Sequence, residues 1–378
     1  MQLFVATGIF HPDPGGPATY LYHLLPEVVA RGHKVRVLAF GDAPTEGYPY
    51  TVRRIPRRAR LRRWAAYMYA ARSEVRRADL VFVNSLGVPL LGGKRVPHVL
   101  KVVGDIAWER AVNKGWLPTT TDIDRFQKQR TPWRVELLKA LRAHVVRRAD
   151  RVIVPSNYLR RMVIGWGAQP EQVHVIYNAL APDAVISPLS RAEARAHLGL
   201  EADRPLLLTA ARLVPWKGID TTIRALRDVP EAHLLVAGDG LDKPRLRALV
   251  AAEGVTTRVR FLGHVPRERL AHYFRAVDYT VLISGYEGLS HVLLESLLAG
   301  TPVIASDRGG NPEVVQHGVN GLLVPYGDAA ALAETLQGAL NGEARARLAA
   351  QTGVGLGRFS WPKLVEQTVA LLEATCTC

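Results

Sequence analysis

The chain alternates short apolar runs with longer amphipathic segments along its whole length. Short apolar runs of this kind are typical of strands buried on both faces, and the amphipathic segments have the length of helices. Strands that alternate with helices predict βαβ units and parallel sheets. In the first half the apolar runs are LFVAT (3–7), KVRVLAF (34–40), LVFVN (80–84), HVLKVV (98–103), RVIVPS (151–156) and HVIYNAL (174–180).

The segment PDAVISPLS (182–190) interrupts this alternation and is predicted to be a linker because it carries Pro and Ser. The alternation then restarts, and two such series predict an α/β protein of two doubly wound, Rossmann-like domains that face each other across a cleft. We expect these domains to span 1–182 and 183–360, with a C-terminal helix over 361–378 that packs back toward the first domain. The second series of apolar runs is PLLLTAARL, HLLVAGDG, RVRFLGHV, YTVLIS, TPVIAS and GLLVP.

Composition narrows the class of protein. Apolar residues make up 48% of the chain, which is ample for two cores, yet no apolar run reaches the roughly 20 residues that cross a bilayer. The first residues, MQLFVATGIF, lack the basic and long apolar regions of a signal peptide. Cys376 and Cys378 are too close together to staple a fold, so a reducing cytoplasm is the expected location.

The net charge of +15 is unevenly distributed. Residues 1–182 hold 29 Lys and Arg against 13 Asp and Glu, a net +16, whereas residues 183–378 hold 20 against 21, a net −1. A basic half indicates an anionic partner such as phosphates, nucleic acid or an acidic membrane face. The region Arg53–Arg77 is the most basic and predicts a peripheral contact with the inner membrane face, the alternative being a solvated Arg-rich helix. The apolar side chains interleaved in it are Trp64, Tyr67, Met68 and Tyr69.

Ligands of open parallel sheets bind beyond the carboxyl ends of the strands, so the loops that follow strands are the places to seek chemistry. Gly15 and Gly16 follow the first strand and precede a helix, where free backbone N–H groups suit an anion; an ordinary Gly turn is the alternative. Arg212 and Lys217 flank a Pro-Trp turn after the strand PLLLT. They are predicted to converge on one polyanion, or else to be two solvated surface charges.

Two further loops follow strands of the second half. GDG (238–240) is a turn that permits close approach of the backbone. In GYEGLSHVLLE (285–295), Ser290 is predicted to cap a helix, with Glu287 in the loop before it and Glu295 on its second turn. Cations and amides suit a diphosphate, and carboxylates accept hydrogen bonds from sugar hydroxyls. Together these loops predict a nucleotide-sugar site.

The sequence around these residues resembles that of the retaining glycosyltransferases of the GT-B fold, specifically glycosyltransferase family 4, also called group 1. The Arg/Lys pair lies in AARLVPWKG, and EGLSHVLLE carries the EX7E signature. SLLAGTPVIASDRGGNPEVV and HGVNGLLVP continue the family pattern. The first half is similar over GGPATY and ADRVIVPSNYLRRMVIGWG, so the resemblance covers most of the chain.

The resemblance implies a role for each candidate in the second half. Arg212 and Lys217 would hold the donor diphosphate and stabilise the charge of the leaving group. Glu287 would contact hydroxyls of the donor sugar, and Glu295 the ribose. The remaining implied donor contacts are backbone amides of Gly288, Leu289 and Ser290, the base-binding edge GHV that ends at Val265, the turn at Gly238, and Gly15 and Gly16 in the first domain.

The resemblance also implies the reaction: transfer of a sugar from a UDP- or GDP-sugar to an acceptor hydroxyl, with an α-linked product and without a metal or other cofactor. The basic first domain would bind the acceptor, expected to be a lipid-linked or cell-envelope glycan. The alternatives are a small soluble acceptor, a phosphorolytic enzyme or epimerase on the same architecture, and a non-enzymatic nucleic-acid binder. That last alternative leaves Glu287 and Glu295 unexplained, so no nucleic-acid partner is expected.

Three positions depart from the family pattern. Many members carry a His after the strand HVLKVV, and this chain has Asp105 at the approximate position, a candidate to position the donor sugar or the acceptor hydroxyl. Leu289 and Ser290 stand where Phe and Gly are frequent in the family.

The pair Asp122 and Asp124 forms a DxD sequence, but no buried strand precedes it, so it is not predicted to bind a metal.

Overall fold

The computed structural model describes residues 1–57, 60–86 and 96–376. The chain divides into two compact units. The first contains residues 1–117, 126–182 and 359–378, and the second contains residues 118–125 and 183–358. The grouping of residues 118–125 with the second unit is not visible in the periodicity of the sequence.

The first unit is built on a seven-stranded parallel sheet with the order β3-β2-β1-β4-β5-β6-β7. Its strands are β1 (Gln2–Thr7), β2 (Lys34–Phe40), β3 (Thr51–Ile55), β4 (Leu80–Asn84), β5 (His98–Lys101), β6 (Arg151–Val154) and β7 (Val173–Val175). Only β3 was not predicted. It is an edge strand, so Arg53 on it is exposed and the sequence lacks a continuous apolar run.

Helices pack on both faces of this sheet. The helices of this unit are α1 (Gly16–Ala30), α2 (Arg60–Val75), α3 (Ile106–Asn113), α5 (Trp133–Arg148), α6 (Asn157–Gly165) and the C-terminal α15 (Trp361–Cys376), and α4 (Ile123–Lys128) straddles the division between the units. The C-terminal helix packs on α1, where the Tyr20 and Thr368 hydroxyls lie 3.5 Å apart. Leu364, Val365, Val369 and Leu372 join the core that α1 forms with the sheet.

The burial of α2 corrects one expectation for the Arg53–Arg77 region. Tyr67 was predicted to lie among interfacial aromatics, but it is completely buried. Its ring packs on Phe40 of β2, with the ring centroids 4.7 Å apart. Trp64 also contacts Phe40, whereas Tyr69 is 80% exposed. Helix α2 thus uses its aromatic side chains to bind the sheet, because an amphipathic helix turns its apolar side to the core.

The second unit contains a six-stranded parallel sheet with the order β10-β9-β8-β11-β12-β13. The strands are β8 (Leu206–Ala210), β9 (His233–Ala237), β10 (Val259–Gly263), β11 (Tyr279–Leu282), β12 (Val303–Ser306) and β13 (Gly321–Val324). All six were predicted. Its helices are α7 (Arg191–Leu198), α8 (Ile219–Ala225), α9 (Lys243–Ala252), α10 (Arg267–Ala276), α11 (His291–Leu298), α12 (Asn311–Val314), α13 (Ala329–Ala339) and α14 (Gly342–Ala349).

Both units are therefore Rossmann-like α/β domains with parallel sheets, which confirms the predicted fold class. Central strands are buried on both faces, as their continuous apolar runs require. Within the described ranges, no helix combines the length and apolar character that a membrane span needs.

Candidate active site

The loop between β11 and α11 carries the two glutamates. Ser290 caps α11, its hydroxyl oxygen accepting a hydrogen bond from the Leu293 N–H at 3.3 Å, so the predicted cap is confirmed. Glu287 lies in the loop before the helix and Glu295 on the helix itself. The cap fixes where the helix begins and thereby separates the two carboxylates by more than one helical turn.

Glu287 forms an ion pair with Lys217, which follows β8. The side chains are 14% and 17% exposed, so the pair is largely shielded from water. The two loops also join through their backbones, since the Gly285 N–H donates to the Trp216 carbonyl at 2.8 Å. Gly218 has φ +62°, and a Cβ built there would lie 1.7 Å from the Ile283 carbonyl oxygen. A glycine after Lys217 is thus what allows the cation to reach the carboxylate.

A second glycine contact holds the other side of the Glu287 loop. The Gly310 N–H donates to the Glu287 carbonyl at 2.8 Å. A Cβ on Gly309 would lie 2.6 Å from that carbonyl oxygen, and one on Gly310 would lie 2.4 Å from the Gly288 oxygen. Sequence reasoning did not single out Gly309 and Gly310. Their signal is a Gly-Gly pair in the loop after the strand β12.

The loop after β9 packs in the same way on the loop that carries Arg212. Gly238 has φ +124°, and a Cβ there would lie 1.9 Å from the Ala211 carbonyl oxygen. The Leu213 N–H donates to the Asp239 carbonyl at 2.9 Å. The close backbone approach predicted at GDG is therefore made to the neighbouring loop, and a donor contact at Gly238 stays a prediction.

Arg212 differs from Lys217 in its surroundings. Its side chain is exposed, and within the described part of the chain its guanidinium has no hydrogen-bond or ion-pair partner. Lys217, five residues later, is neutralised by Glu287. The structure thus places one free and one paired cation on the same loop.

Glu295 is a half-buried carboxyl on α11. Burial raises the pKa of Glu295, and the positive charge of Arg267 at the start of α10 opposes the shift. Among the described residues no donor hydrogen-bonds to the Glu295 carboxyl. A desolvated carboxyl without a donor is costly for the protein alone and is ready to accept hydrogen bonds from a ligand.

The predicted base-binding edge borders a pocket of about 210 Å³ at the end of β10. Val265 lies in its wall, next to Pro266, which caps α10. The pocket is lined by Arg260, Phe261, Leu262, His264, Val265, Pro266, Arg269 and Tyr273.

Comparison with known proteins places this chain in a family. Residues 190–353 match the glycosyl transferases group 1, and residues 14–184 match Glycosyltransferase Family 4. The two matches together span both units. The chain belongs to the group 1 glycosyltransferases.

Individual relatives agree with this family. The chain is 34% identical over 238 residues to D-inositol 3-phosphate glycosyltransferase of Acidothermus cellulolyticus, an alignment that covers 59% of this chain and 53% of that protein. The alignment thus spans about half the length of the relative. Sucrose-phosphate synthase from Thermosynechococcus elongatus has a similar structure, with a TM-score of 0.79, 25% identity and 99% coverage of both chains.

HepE from Anabaena, solved in complex with UDP, superposes with a TM-score of 0.78 at 23% identity, covering 99% of this chain and 100% of HepE. At that level of identity the likeness concerns the fold alone. These neighbours agree with a GT-B fold built from two Rossmann-like domains.

In the first unit, Gly15 and Gly16 lie where the sequence predicts. Gly15 is the residue before α1 and has φ +143°, and α1 begins at Gly16. The Asn84 side-chain amide at the end of β4 donates to the Pro17 carbonyl at 3.0 Å, which fixes the start of the helix. A donor contact at either glycine stays a prediction.

Asp105, in the loop before α3, is completely buried. Its carboxylate caps α3, accepting hydrogen bonds from the N–H groups of Ala107 at 3.0 Å and Trp108 at 3.3 Å. It also forms an ion pair with Arg142 and accepts from the Gln127 amide at 2.9 Å. These contacts supply a structural reason for an aspartate here, and the proposed contact with a substrate stays a prediction.

The remaining positions have simpler surroundings. Leu289 and Ser290 are both buried, with 7% and 3% of their surface exposed, and a donor contact at either stays a prediction. Asp122 accepts from the Arg125 N–H at 2.8 Å, and Asp124 lies 3.6 Å from Arg308. Within 1–57, 60–86 and 96–376, no group of three or more His, Cys, Asp or Glu side chains is arranged to hold a metal ion.

Proposed function

We propose that the chain transfers a sugar from a nucleotide sugar to an acceptor hydroxyl, with the donor held by the second unit. The ion pair between Lys217 and Glu287, at the carboxyl ends of neighbouring strands, is the observation that carries this proposal. One cation and one carboxylate at the same point match the two halves of such a donor, a diphosphate and a polyhydroxylated ring.

Donor binding would redistribute these contacts. Lys217 would exchange the Glu287 carboxylate for a phosphate oxygen, and Arg212, which is exposed, would approach the same diphosphate as a planar fork. The N-terminus of α11 follows directly and adds the positive end of the helix dipole. The positive charge stabilises the diphosphate as it leaves, so the transfer needs no metal ion.

The carboxylates take separate roles in this proposal. Glu287, released from Lys217, accepts hydrogen bonds from the sugar. Glu295 accepts hydrogen bonds from the ribose, which relieves the desolvation that raises the pKa of Glu295 in the free protein. The donor is a UDP- or GDP-sugar, and the UDP in the similar HepE structure supports a uridine nucleotide. The product is α-linked, with retention.

The basic first unit would bind the acceptor. Its net charge of +16 over residues 1–182 favours an acceptor that bears phosphate, such as a lipid-linked glycan of the cell envelope at the inner membrane face. A second candidate is a small soluble phosphate ester, which the name of the relative, D-inositol 3-phosphate glycosyltransferase, favours. Both acceptors share a phosphate and a free hydroxyl.

Thermal unfolding with UDP, GDP, ADP and their sugars tests the donor site, because a ligand that binds the folded state raises the melting temperature. We expect Lys217→Ala and Glu287→Ala each to lower transfer about a hundredfold or more, since each removes charge from the donor contacts. Arg224→Ala is the matched control, as it breaks a surface ion pair of 2.8 Å with Glu253 in the same unit. Wild-type turnover in either site variant would overturn the assignment.

The acceptor and the stereochemistry need separate measurements. NMR of the product from an α-linked donor is expected to show an α anomer, and a β anomer would exclude retention. Assays with a phosphorylated polyol and with a lipid-linked phosphate acceptor distinguish the two acceptor candidates. A gel shift with a salt titration tests nucleic-acid binding, and a steep salt dependence without any donor binding would favour that alternative.

A further inference from the structure

Helix α5 of the first unit carries an apolar stripe on its outer side. Trp133, Leu137 and Leu141 are 72%, 53% and 53% exposed. Residues four apart lie on the same side of a helix, so the three side chains form one continuous row. No other helix of the described residues exposes three large apolar side chains. The opposite side of α5 is buried through Val135 and Val146.

The rim of this stripe is basic. Arg130, Arg134, Arg147 and Arg148 are exposed at or beside α5. The Arg134 guanidinium lies 5.4 Å from the centre of the Trp133 ring. Glu136 is the one acidic residue of α5. Its carboxylate accepts hydrogen bonds from the Thr131 N–H at 2.8 Å and the Thr131 hydroxyl at 2.7 Å, and it pairs with Lys139 at 3.1 Å.

We propose that the stripe of α5 docks on an anionic lipid bilayer, with α5 lying in the plane of the headgroups. An exposed apolar row bordered by Arg side chains suits the interface of an anionic bilayer, where apolar side chains enter the acyl boundary and Arg side chains meet the headgroups. Trp is favoured at the level of the headgroups, and each Arg near an anionic surface contributes about 1 kcal/mol. The charge of α5 and of residues 1–182 selects an acidic surface.

A second copy of this chain fits the stripe less well. Two such helices face to face would bring the four arginines of one rim against those of the other, and like charges at an interface cost binding energy. The stripe from Trp133 to Leu141 spans about 12 Å of α5, so a dimer contact through it alone would be small.

The exposed stripe indicates that α5, and not α2, makes the apolar contact with the bilayer. Right-handed crossovers place α2 and α5 over the same face of the sheet. The aromatic side chains of α2 are largely turned to the sheet, and Tyr69 is the large one it exposes. We infer that α5 supplies the apolar insertion and that α2 contributes charge.

Flotation of the full chain with vesicles tests this proposal. We expect binding to vesicles that contain phosphatidylglycerol and little binding to phosphatidylcholine alone. The combined variant Trp133→Ser, Leu137→Ser, Leu141→Ser should weaken binding about tenfold or more, because the inserted apolar area is lost. Leu241→Ser is the matched control, since Leu241 is 92% exposed in the second unit. It should float like the wild type.

Three results would overturn the proposal: a wild type that does not float, a stripe variant that floats as well as the wild type, and binding that ignores the lipid charge. A wild-type dimer in light scattering that the stripe variant converts to a monomer, with no vesicle binding, would assign the stripe to a second copy instead. A normal thermal unfolding curve shows that the stripe variant is folded.

Membrane docking extends the proposed transfer to a lipid-linked acceptor, and flotation measures docking without any transfer reaction. Glu287→Ala should float like the wild type even though it is expected to lose transfer. Failure of docking alone leaves donor binding intact in thermal unfolding, and failure of donor binding leaves flotation intact. The two proposals therefore fail separately.

Discussion

The loops at the carboxyl ends of the two sheets are held in different ways. In the second unit they are joined backbone to backbone, with glycines such as Gly218 and Gly238 at contacts that leave no room for a Cβ. In the first unit side chains hold several of them. The Tyr48 hydroxyl donates to the His11 carbonyl at 2.8 Å, the Arg57 guanidinium contacts Asp13 at 2.5 Å, and the Lys101 amine donates to Asn178 at 3.2 Å.

The difference indicates how the two units accommodate substitution. A loop fixed by its backbone keeps its shape when side chains change, which suits the donor site proposed for the second unit. A loop held by side chains is reshaped by single substitutions, which suits the acceptor site proposed for the first unit. The following predictions concern the free energy of unfolding and are ordered from the largest effect to the smallest.

Gly218→Ala should have the largest effect. Its Cβ would lie 1.7 Å from the Ile283 carbonyl oxygen, and the φ of +62° is strained for alanine, so the loop must move. We expect a loss of about 3 kcal/mol or more, measured by urea unfolding, together with loss of donor binding.

Gly338→Ala is the control for Gly218→Ala. Gly338 lies inside α13 and has nothing within 4 Å of its would-be Cβ. Alanine there should stabilise the protein by about 0.5–1 kcal/mol. If Gly218→Ala were as stable as the wild type, the contrast between backbone-held and side-chain-held loops would be wrong.

The same contrast explains what the sequence could predict. Continuous apolar runs identify buried strands such as β8 and β11, and the cap at Ser290 follows from its place before a helix. The sequence does not predict the edge strand β3, because half of its side chains face water and no continuous apolar run results. The contacts of Gly309 with the Glu287 loop escape because they join residues of separate βα units. The sequence also does not predict the burial of Tyr67, because the many arginines around it do not show which side of α2 packs on the sheet.

Lys101→Met should have the next largest effect, and one that depends on pH. Lys101 is 2% exposed at the end of β5, and burial lowers its pKa from 10.5 to about 7. The unfolded chain binds more protons than the folded one between these pKa values, so the stability of the wild type rises from pH 7 toward pH 10.5. The Tyr20 ring, 3.5 Å from the amine, favours the ammonium and reduces the rise.

We expect the advantage of Lys101→Met over the wild type to shrink by about 2 kcal/mol between pH 7 and pH 9. Urea unfolding of both proteins at several pH values measures this, and the difference between them removes the contribution of other titrating groups. A difference that does not change with pH would mean that Lys101 stays charged in the fold, held by the Tyr20 ring and Asn178.

Tyr48→Phe should cost about 1–1.5 kcal/mol, because it removes two hydrogen bonds of the Tyr48 hydroxyl. The hydroxyl donates to the His11 carbonyl and lies 3.1 Å from the His11 Nδ1, and the ring stack with Tyr50 stays intact. Donor binding in thermal unfolding should not change, because the Lys217–Glu287 pair is untouched. A loss as large as that of Gly218→Ala would show that the first-unit loop is held as rigidly as the loops of the second unit.

Gly16→Ala should have the smallest effect on stability. A Cβ on Gly16 meets nothing within 4 Å, so the fold itself does not need glycine there, and we expect a change below about 0.5 kcal/mol. If a donor phosphate approaches this helix start, the added methyl group occupies its path and transfer falls while stability does not. Unfolding and turnover measured on the same variant separate the two effects. Unchanged transfer would remove Gly16 from the donor site and leave it as the first residue of α1, chosen by the turn at Gly15.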